Sequence, residues 1–159
     1  MGIRAFAIGA LLVLGASACG GGGGSGASSR ATLKVASNGD LKRSIIVDSK
    51  GMTLYMFVSD TEGKATCVGN DPLPGCGKVW PPEVAKGKLE AGPGLDASLL
   101  GTTKRSDGKT QVTYDNHPLY YFAGYGGTPP DKKPGDDGGQ AFGGLWWVLS
   151  PKGKPIEQQ

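Results

Sequence analysis

The chain has 159 residues, which allows one domain or two very small ones. Its 29 glycines and 11 prolines favour short strands joined by many turns, because both residues disfavour helix interiors. The formal net charge is +3, and Lys and Arg are scattered singly rather than in a basic stripe, so the sequence gives no indication of a nucleic-acid partner.

Residues 1–18 have the three-part layout of a secretory signal peptide. Arg4 supplies a positive charge, residues 5–14 form an apolar run, and residues 15–18 are small. The apolar run is too short to cross a hydrocarbon core of ~30 Å as a stable helix. One interpretation is a plain signal peptide that is cleaved after the Ala-x-Ala of residues 16–18.

Cys19 follows these small residues directly, and the arrangement resembles the lipobox of bacterial lipoproteins. That resemblance implies that the Cys19 thiol receives a diacylglycerol and that the new amino group is acylated after cleavage. Ala16 departs from the Leu that is usual three residues before the cysteine. Residues 19–32 would then be the lipid-modified cysteine and a Gly/Ser-rich tether, whose composition is typical of a flexible coil.

The folded part is expected over residues 33–151, with a polar tail over residues 152–159. Within it the sequence repeats with a period of about 65 residues, in copies at about 41–82 and 106–149. Both copies contain Leu-Tyr-x-Phe and both end at a tryptophan, so we expect two related structural units.

Each copy is predicted to be a β-hairpin followed by a strand that carries the tryptophan. Lys50-Gly51 and Asp115-Asn116 are the predicted turns, because Gly and Asn accept positive φ angles. Alternation then places apolar side chains on both faces, which indicates buried strands. The residues expected on one face are Leu54, Met56, Val58, Leu119 and Tyr121. Those expected on the other face are Tyr55, Phe57, Tyr120 and Phe122.

The predicted fold class is therefore mostly β, with two related hairpin-plus-strand units packed into one small domain. A single hairpin is marginally stable in water, so the two copies should pack on each other. At most one short helix is expected, between the copies at residues 93–100.

Cys67 and Cys76 remain when Cys19 is assigned to the lipid anchor. In an exported, oxidising compartment such a pair most simply forms a disulfide, which would stabilise the fold by ~2–3 kcal/mol. A redox-active pair is an alternative. A metal site is disfavoured, because the spacing is not that of a zinc site and no histidine is near in sequence.

Tyr55, Phe57 and Asp60 fit the pattern Tyr-x-(Phe/Trp/Tyr)-x-x-Asp, and the cysteine pair leads into Trp80-Pro81-Pro82. In these residues the chain resembles the bacterial secreted-repeat lipoproteins, a family without an established function. The resemblance extends over roughly residues 33–151 and implies an envelope lipoprotein, with no established reaction.

The second copy keeps Tyr120 and Phe122 but has Tyr125 where the motif has Asp. If the motif carboxylate had a task in both copies, Asp60 alone could perform it. As an acid or base it would need a partner within reach. We favour the competing interpretation that Asp60 accepts hydrogen bonds from turn amides, as Asp does at strand ends.

The preferred hypothesis for function is a non-enzymatic lipoprotein on the extracytoplasmic face of the bacterial cell membrane. It would bind an unknown envelope protein or small ligand, and any aromatic side chains exposed together would form the surface for it. No nucleophile elbow or phosphate-binding loop occurs in the sequence, so we expect no catalytic residues and no cofactor. An enzyme that acts on cell-wall material has no motif in its favour.

The alternative hypothesis is a copper-binding or redox envelope protein. His117 is the only histidine and aligns with Met52 between the copies, and Met56 lies in the aromatic strand. Thioether and imidazole ligands suit copper. The competing interpretation, which we favour, is that Met56 belongs to the core and that Met52 and His117 lie beside turns without a metal.

The lipid anchor makes a prediction for Cys19→Ser. Each buried methylene of an acyl chain contributes ~0.8 kcal/mol to membrane binding, so the variant should move from the membrane to the soluble fraction. Mass spectrometry of the wild-type N-terminus should show added acyl chains. A wild-type N-terminus without lipid, or full membrane retention of the variant, would contradict the anchor.

Overall fold

The computed structural model of the chain describes residues 1–2, 32–61 and 63–157. Most of the signal sequence, Cys19 and most of the tether therefore lie outside the described residues. Across the described ranges, the structure contains no helix with the length and apolar character needed to span a membrane.

The structure is mostly β, as the sequence predicts. The strands are β1 (Leu33–Asn38), β2 (Arg43–Asp48), β3 (Tyr55–Phe57), β4 (Leu100–Lys104), β5 (Thr110–Tyr114), β6 (His117–Pro118) and β7 (Trp146–Val148). The helical elements are α1 (Cys76–Val79) and the 3-10 turns Ala97–Leu99 and Phe142–Gly144. The short helix expected between the copies is thus only a 3-10 turn, in which the Asp96 side chain accepts a hydrogen bond from the Ser98 N–H.

Two antiparallel hairpins occupy equivalent places in the two copies. Strand β1 pairs with β2, and β4 pairs with β5, with β6 as a third strand beside β5. Both β1 and β4 precede the copies drawn from sequence similarity, so each repeat begins with a strand that the similarity did not show. Asp115 and Asn116 both have positive φ angles, 48° and 61°, in the predicted two-residue turn.

The two copies meet through their aromatic strands. Tyr55 and Tyr120 hold equivalent positions in the repeats, and each donates its backbone N–H to the other's carbonyl, with N···O distances of 2.9 Å. Equivalent residues that bond to each other in this reciprocal way are related by a two-fold rotation. A local pseudo-two-fold axis therefore passes between Tyr55 and Tyr120.

The tryptophan-bearing segment of each copy bonds to the aromatic strand segment of the other copy. Strand β7 of the second copy pairs with β3 of the first, in the register that sets Phe57 opposite Trp146. On the other side of the axis, the Ala123 N–H donates to the Val79 carbonyl at 2.8 Å. The sequence predicts a tryptophan strand in each copy, and this is wrong for the first copy, where α1 (Cys76–Val79) leads into Trp80. The exchange was not predicted, and it makes each unit complete only in the presence of the other.

Four aromatic rings lie in a row across the axis, in the order Phe57, Trp146, Trp80 and Phe122. The first three are stacked, and the Phe122 ring is tilted by 39° from Trp80. Their successive ring centroids are 4.2, 3.8 and 4.7 Å apart, and the two indole planes differ by only 3°. We call these four residues the aromatic column. Tyr55 and Tyr120 meet the two indoles edge-on, at 5.5 and 5.2 Å. Such pairs contribute roughly 0.5–1.5 kcal/mol each beyond the burial of their area.

Alternation along the aromatic strands divides the interior into two clusters, as predicted. One cluster holds the aromatic column with Tyr55 and Tyr120, and the other holds Leu54, Met56 and Leu119. Val58 departs from the prediction, because β3 ends before it and its side chain is 42 % exposed.

Cys67 and Cys76 form the predicted disulfide, with both residues buried. The bond ties the loop after the first aromatic strand to α1, which leads directly into Trp80. The disulfide therefore fixes the position of the segment that leads into Trp80 of the aromatic column.

The folded domain continues past its predicted end at residue 151. The Ile156 N–H donates to the Val148 carbonyl at 3.0 Å, and the Ile156 side chain packs in the same cluster as the aromatic column. The chain up to Ile156 is thus part of the domain, and the description of residues 152–159 as a polar tail is wrong for this residue.

The aromatic column makes a prediction for the two adjacent tryptophans of β7. Trp146 is 2 % exposed and stacked on both sides, whereas Trp147 is only partly buried. We expect Trp146→Ala to lower the free energy of unfolding by about 3–5 kcal/mol, and Trp147→Ala to lower it by clearly less. Urea denaturation measures both, and equal losses would show that the column is not the centre of stability.

Candidate functional site

The motif carboxylate of the first copy binds the motif tyrosine of the second. The Tyr120 hydroxyl donates to Asp60 Oδ2 at 2.8 Å, and the Thr66 N–H and hydroxyl both donate to Asp60 Oδ1 at 2.7 Å. Asp60 thus accepts a backbone hydrogen bond, as the favoured interpretation has it, and in addition reaches across the axis. Burial raises the pKa of Asp60, and its hydrogen-bond donors oppose that shift.

Asp131 forms the matching pair on the other side of the axis. The Tyr55 hydroxyl donates to Asp131 Oδ2 at 2.6 Å, and the Gly138 N–H donates to Asp131 Oδ1 at 3.0 Å. Asp131, which lies outside the motif, therefore accepts from Tyr55 the hydrogen bond that Asp60 accepts from Tyr120. The loop that follows Tyr125 folds back over the core and supplies the missing carboxylate from six residues further along the chain.

Gly139 is required for this return of the loop. Its N–H donates to the Tyr55 hydroxyl oxygen at 3.3 Å. A Cβ atom at this position would lie 2.9 Å from the rings of both Trp80 and Tyr55. Any side chain here would push the loop away from the aromatic core, and with it the carboxylate of Asp131.

A buried arginine lies beside the Asp60–Tyr120 pair. Arg105 is 5 % exposed, and its guanidinium donates to the Gln111 side chain and to the Cys67 carbonyl, the latter at 3.0 Å. It also lies 5.9 Å from the centre of the Tyr120 ring. The Arg105 charge therefore connects the disulfide loop to the tyrosine of the second copy.

A third tyrosine lies between two carboxyl groups. The Tyr121 hydroxyl contacts Glu83, and it lies 3.0 Å from Asp48 Oδ2. One phenol proton cannot satisfy two ionised carboxylates. Burial is the main cause that raises the pKa of Glu83, and Asp48 adds to it. A proton held by Glu83 would be donated to the Tyr121 oxygen, while Tyr121 donates to Asp48.

An apolar cleft of about 300 Å³ opens at one end of the pseudo-two-fold axis. Val79 and Leu145 line it from equivalent positions in the two copies, together with the edges of Trp80 and Trp146. This volume is at the lower limit of ordinary ligand pockets. We call this feature the apolar cleft.

The rim of the apolar cleft is not symmetric. Leu73, from the disulfide loop of the first copy, is 54 % exposed, and Tyr125, from the second copy, is 59 % exposed. Tyr125 packs edge-on against Phe142 with ring centroids 6.1 Å apart. The residue that departs from the motif thus places an aromatic side chain at the mouth of the cleft.

The candidate metal ligands lie in different surroundings. Met56 packs in the second interior cluster. Met52 lies in the turn after β2, and its own backbone N–H donates to Asp48 Oδ1. His117 is the first residue of β6. Burial is the main cause that lowers the pKa of His117. Over the described ranges, no group of three or more His, Cys, Asp and Glu residues is arranged to hold a metal ion.

Sequence reasoning missed the residues that tertiary contacts bring to the site. Four residues of the site stand outside the motif that carries the family resemblance, namely Asp131, Arg105, Gln111 and Glu83. The one available signal was Tyr125, which stands where the motif has Asp. This mismatch indicates that a carboxyl group in the second copy must come from another position.

Comparison with protein families gives one match, which occurs twice. Residues 42–83 and residues 101–150 both match a family described as a secreted repeat of unknown function. Together the two regions cover more than half of the chain and confirm the resemblance indicated by the motif. Neither the curated proteins nor the solved structures searched give a match.

The Tyr121 cluster makes a prediction about pH. Because Glu83 has a raised pKa in the folded protein, the folded state holds this proton more tightly than the unfolded state does. The resulting stabilisation is complete below the ordinary glutamate pKa of about 4.3 and is lost as the pH rises through the raised value. Glu83→Gln should therefore lose less stability than the wild type as the pH rises from about 4 through the raised pKa of Glu83.

Thermal unfolding at a series of pH values measures this difference. Glu90→Gln, at a partly buried position outside the Tyr121 cluster, is the matched control and should keep the wild-type pH profile. If Glu83→Gln and the wild type have parallel profiles, Glu83 does not hold a proton in this range.

Proposed function

We propose, since the chain belongs to this family of secreted repeats, that it is a lipid-anchored binding protein outside the cytoplasm and not an enzyme. Secretion and the repeat are properties of the family. The lipid on Cys19, the binding role and the site of binding are the proposal. The observation that carries it is the apolar cleft at the junction of the two copies.

Exposed apolar side chains favour this cleft as the binding site. Among the described residues, Val58, Leu73 and Tyr125 are large apolar side chains of the folded domain that remain exposed. Two of the three stand on the rim of the same cleft. Apolar surface that is kept in water beside a preformed cavity is typical of a site that a ligand or partner covers.

The lining of the cleft favours binding over catalysis. Its side chains are aliphatic or aromatic, and Cys76, which also lines it, is tied in the disulfide. General acid–base catalysis needs a titratable group within hydrogen-bond reach of the substrate. The carboxyl groups of Asp60 and Asp131 are instead bonded to buried tyrosines.

The cleft selects a class of ligand by its size and surface. A volume of about 300 Å³ accepts a small group rather than a large one. Apolar walls with indole edges favour an uncharged aromatic or branched aliphatic group, because a charged group would lose its hydration without gaining a partner. Such a group belongs to a small molecule or to one anchoring side chain of an envelope protein.

Binding of the uncharged fluorescent probe N-phenylnaphthylamine to the full chain tests the site. We expect the probe to quench tryptophan fluorescence, and Tyr125→Ser and Leu73→Ser each to weaken its binding by about ten-fold. Val58→Ser is the matched control, because Val58 is exposed but does not line the cleft. Equal weakening in all three variants, or no binding up to the solubility of the probe, would contradict the proposal.

A further inference from the structure

We propose that Tyr55, Trp80, Trp146 and Tyr120 form a relay for single electrons, which carries oxidising equivalents from the apolar cleft to two buried tyrosines. The exit of electrons at the cleft, to an oxidant bound there, rests on the proposed function. The relay itself rests on the contacts within the core and would stand without a cleft ligand.

The four rings are in contact over the whole length of the relay. Ring centroids are 5.5 Å apart for Tyr55 and Trp80, 3.8 Å for Trp80 and Trp146, and 5.2 Å for Trp146 and Tyr120. Indole and phenol are the aromatic side chains that lose an electron most easily. The two parallel indoles can share the positive charge of an oxidised state, so electrons pass between adjacent rings in short steps.

Each terminal tyrosine has a proton acceptor in place. A phenol that loses an electron becomes a strong acid, and an acceptor already bonded to it makes the electron easier to remove. Tyr55 donates to Asp131 at 2.6 Å, and Tyr120 donates to Asp60 at 2.8 Å. Each of these two hydrogen bonds joins a tyrosine of one copy to a carboxyl group of the other.

Other donors fix the direction of both hydrogen bonds. The Gly139 N–H occupies the Tyr55 oxygen, so the phenol proton of Tyr55 points to Asp131. Thr66 fills one oxygen of Asp60 with two donors, which leaves the other oxygen for the Tyr120 proton. Burial raises the pKa of both carboxyl groups and so strengthens them as bases.

Burial also raises the pKa of both tyrosines, and the neighbouring carboxylates add to that shift. Tyr55 and Tyr120 therefore keep their protons until they are oxidised. The proton transfer is tied to the loss of the electron and does not precede it.

Tyr120 loses one electron and one proton in a single coupled step. A one-electron oxidant with an apolar or aromatic face takes one electron by way of the tryptophan pair, the Tyr120 O–H bond breaks, and the proton moves to Asp60 Oδ2. The products are a neutral tyrosyl radical, a neutral Asp60 carboxylic acid and the reduced oxidant. Tyr55 and Asp131 perform the same step, and a one-electron reductant reverses it.

The middle of the relay, formed by the two indoles, differs in access from its two tyrosine ends. Trp80 and Trp146 line the cleft and keep 3 % and 2 % of their surface exposed, whereas Tyr55 and Tyr120 are 0 % exposed. An oxidant in the cleft therefore reaches the indoles first. The radical would then come to rest on tyrosines that solvent does not reach.

Tyr114 provides the internal control for ordinary packing. It is also 0 % exposed, but its hydroxyl donates to the Pro151 carbonyl at 2.9 Å. A backbone carbonyl does not take up a proton as a carboxylate does. If burial of a tyrosine were enough for radical formation, Tyr114 would behave like Tyr55 and Tyr120.

Photo-oxidation of the full chain by a ruthenium tris-bipyridine complex, with a cobalt(III) ammine as the final electron acceptor, tests the relay. Tyr121→Phe and Tyr125→Phe form the background, so that Tyr55, Tyr114 and Tyr120 are the remaining tyrosines. Electron paramagnetic resonance distinguishes tyrosyl from tryptophan radicals. We expect a tyrosyl radical in this background and in the added Tyr114→Phe variant.

Adding Tyr55→Phe and Tyr120→Phe together should remove the tyrosyl signal and leave a tryptophan radical. Asp60→Asn with Asp131→Asn keeps both tyrosines and should lower the tyrosyl yield, because the amide accepts a hydrogen bond but not the proton. Trp80→Phe keeps a ring in the column and should slow tyrosyl formation. These two sets give an answer even if the double tyrosine variant fails to fold.

A tyrosyl radical that disappears with Tyr114→Phe, or that has the same yield and rate in the asparagine and Trp80→Phe variants as in the background, would overturn the relay. The experiment uses no cleft ligand and reads the tyrosines directly. Its failure is therefore distinct from failure of the cleft, which appears in the probe titration.

Discussion

The reciprocal pair of backbone hydrogen bonds between Tyr55 and Tyr120 sets the geometry on which the rest of the domain depends. Because these residues are equivalent in the two copies, their pairing fixes the pseudo-two-fold axis. Three features follow from that axis. They are the exchange of the tryptophan segments, the stacking of Trp80 on Trp146 and the tyrosine–carboxyl hydrogen bonds between the copies. A domain of this size with many glycines gains from the exchange a single shared aromatic core, which neither copy could build alone.

Symmetry is kept in the core and given up at the surface. Asp60 and Asp131 reach equivalent tyrosines, yet only Asp60 stands at the motif position. The second copy supplies its carboxylate from a longer loop, and Gly139 lets that loop lie against the rings. Tyr125, which occupies the Asp position of the motif, stands at the mouth of the apolar cleft. The two copies thus share a symmetric core and differ in the loop that places Tyr125 at the cleft.

The apolar cleft and the proposed relay share the same two indoles, which gives the aromatic column two roles. Trp80 and Trp146 are buried enough to stabilise the fold, and their edges still line the cleft. The carboxyl groups of Asp60 and Asp131 accept hydrogen bonds from the tyrosines behind the indoles. They therefore do not line the cleft, which stays apolar. The architecture therefore combines an apolar cleft at the surface with tyrosine–carboxyl hydrogen bonds that are buried behind it.

Local pattern determined a large part of this structure. Period-two alternation separates Leu54 and Met56 from the aromatic face, positive φ angles at Asp115-Asn116 make the turn, and an even cysteine pair becomes a disulfide. Each of these signals is read from residues close together in the chain. The partner of a tryptophan strand, the carboxylate that Tyr55 binds and the burial of Arg105 were decided by tertiary structure alone. They depend on contacts between segments some 40 to 90 residues apart, whose free energy is set by shared packing and not by local conformational preference.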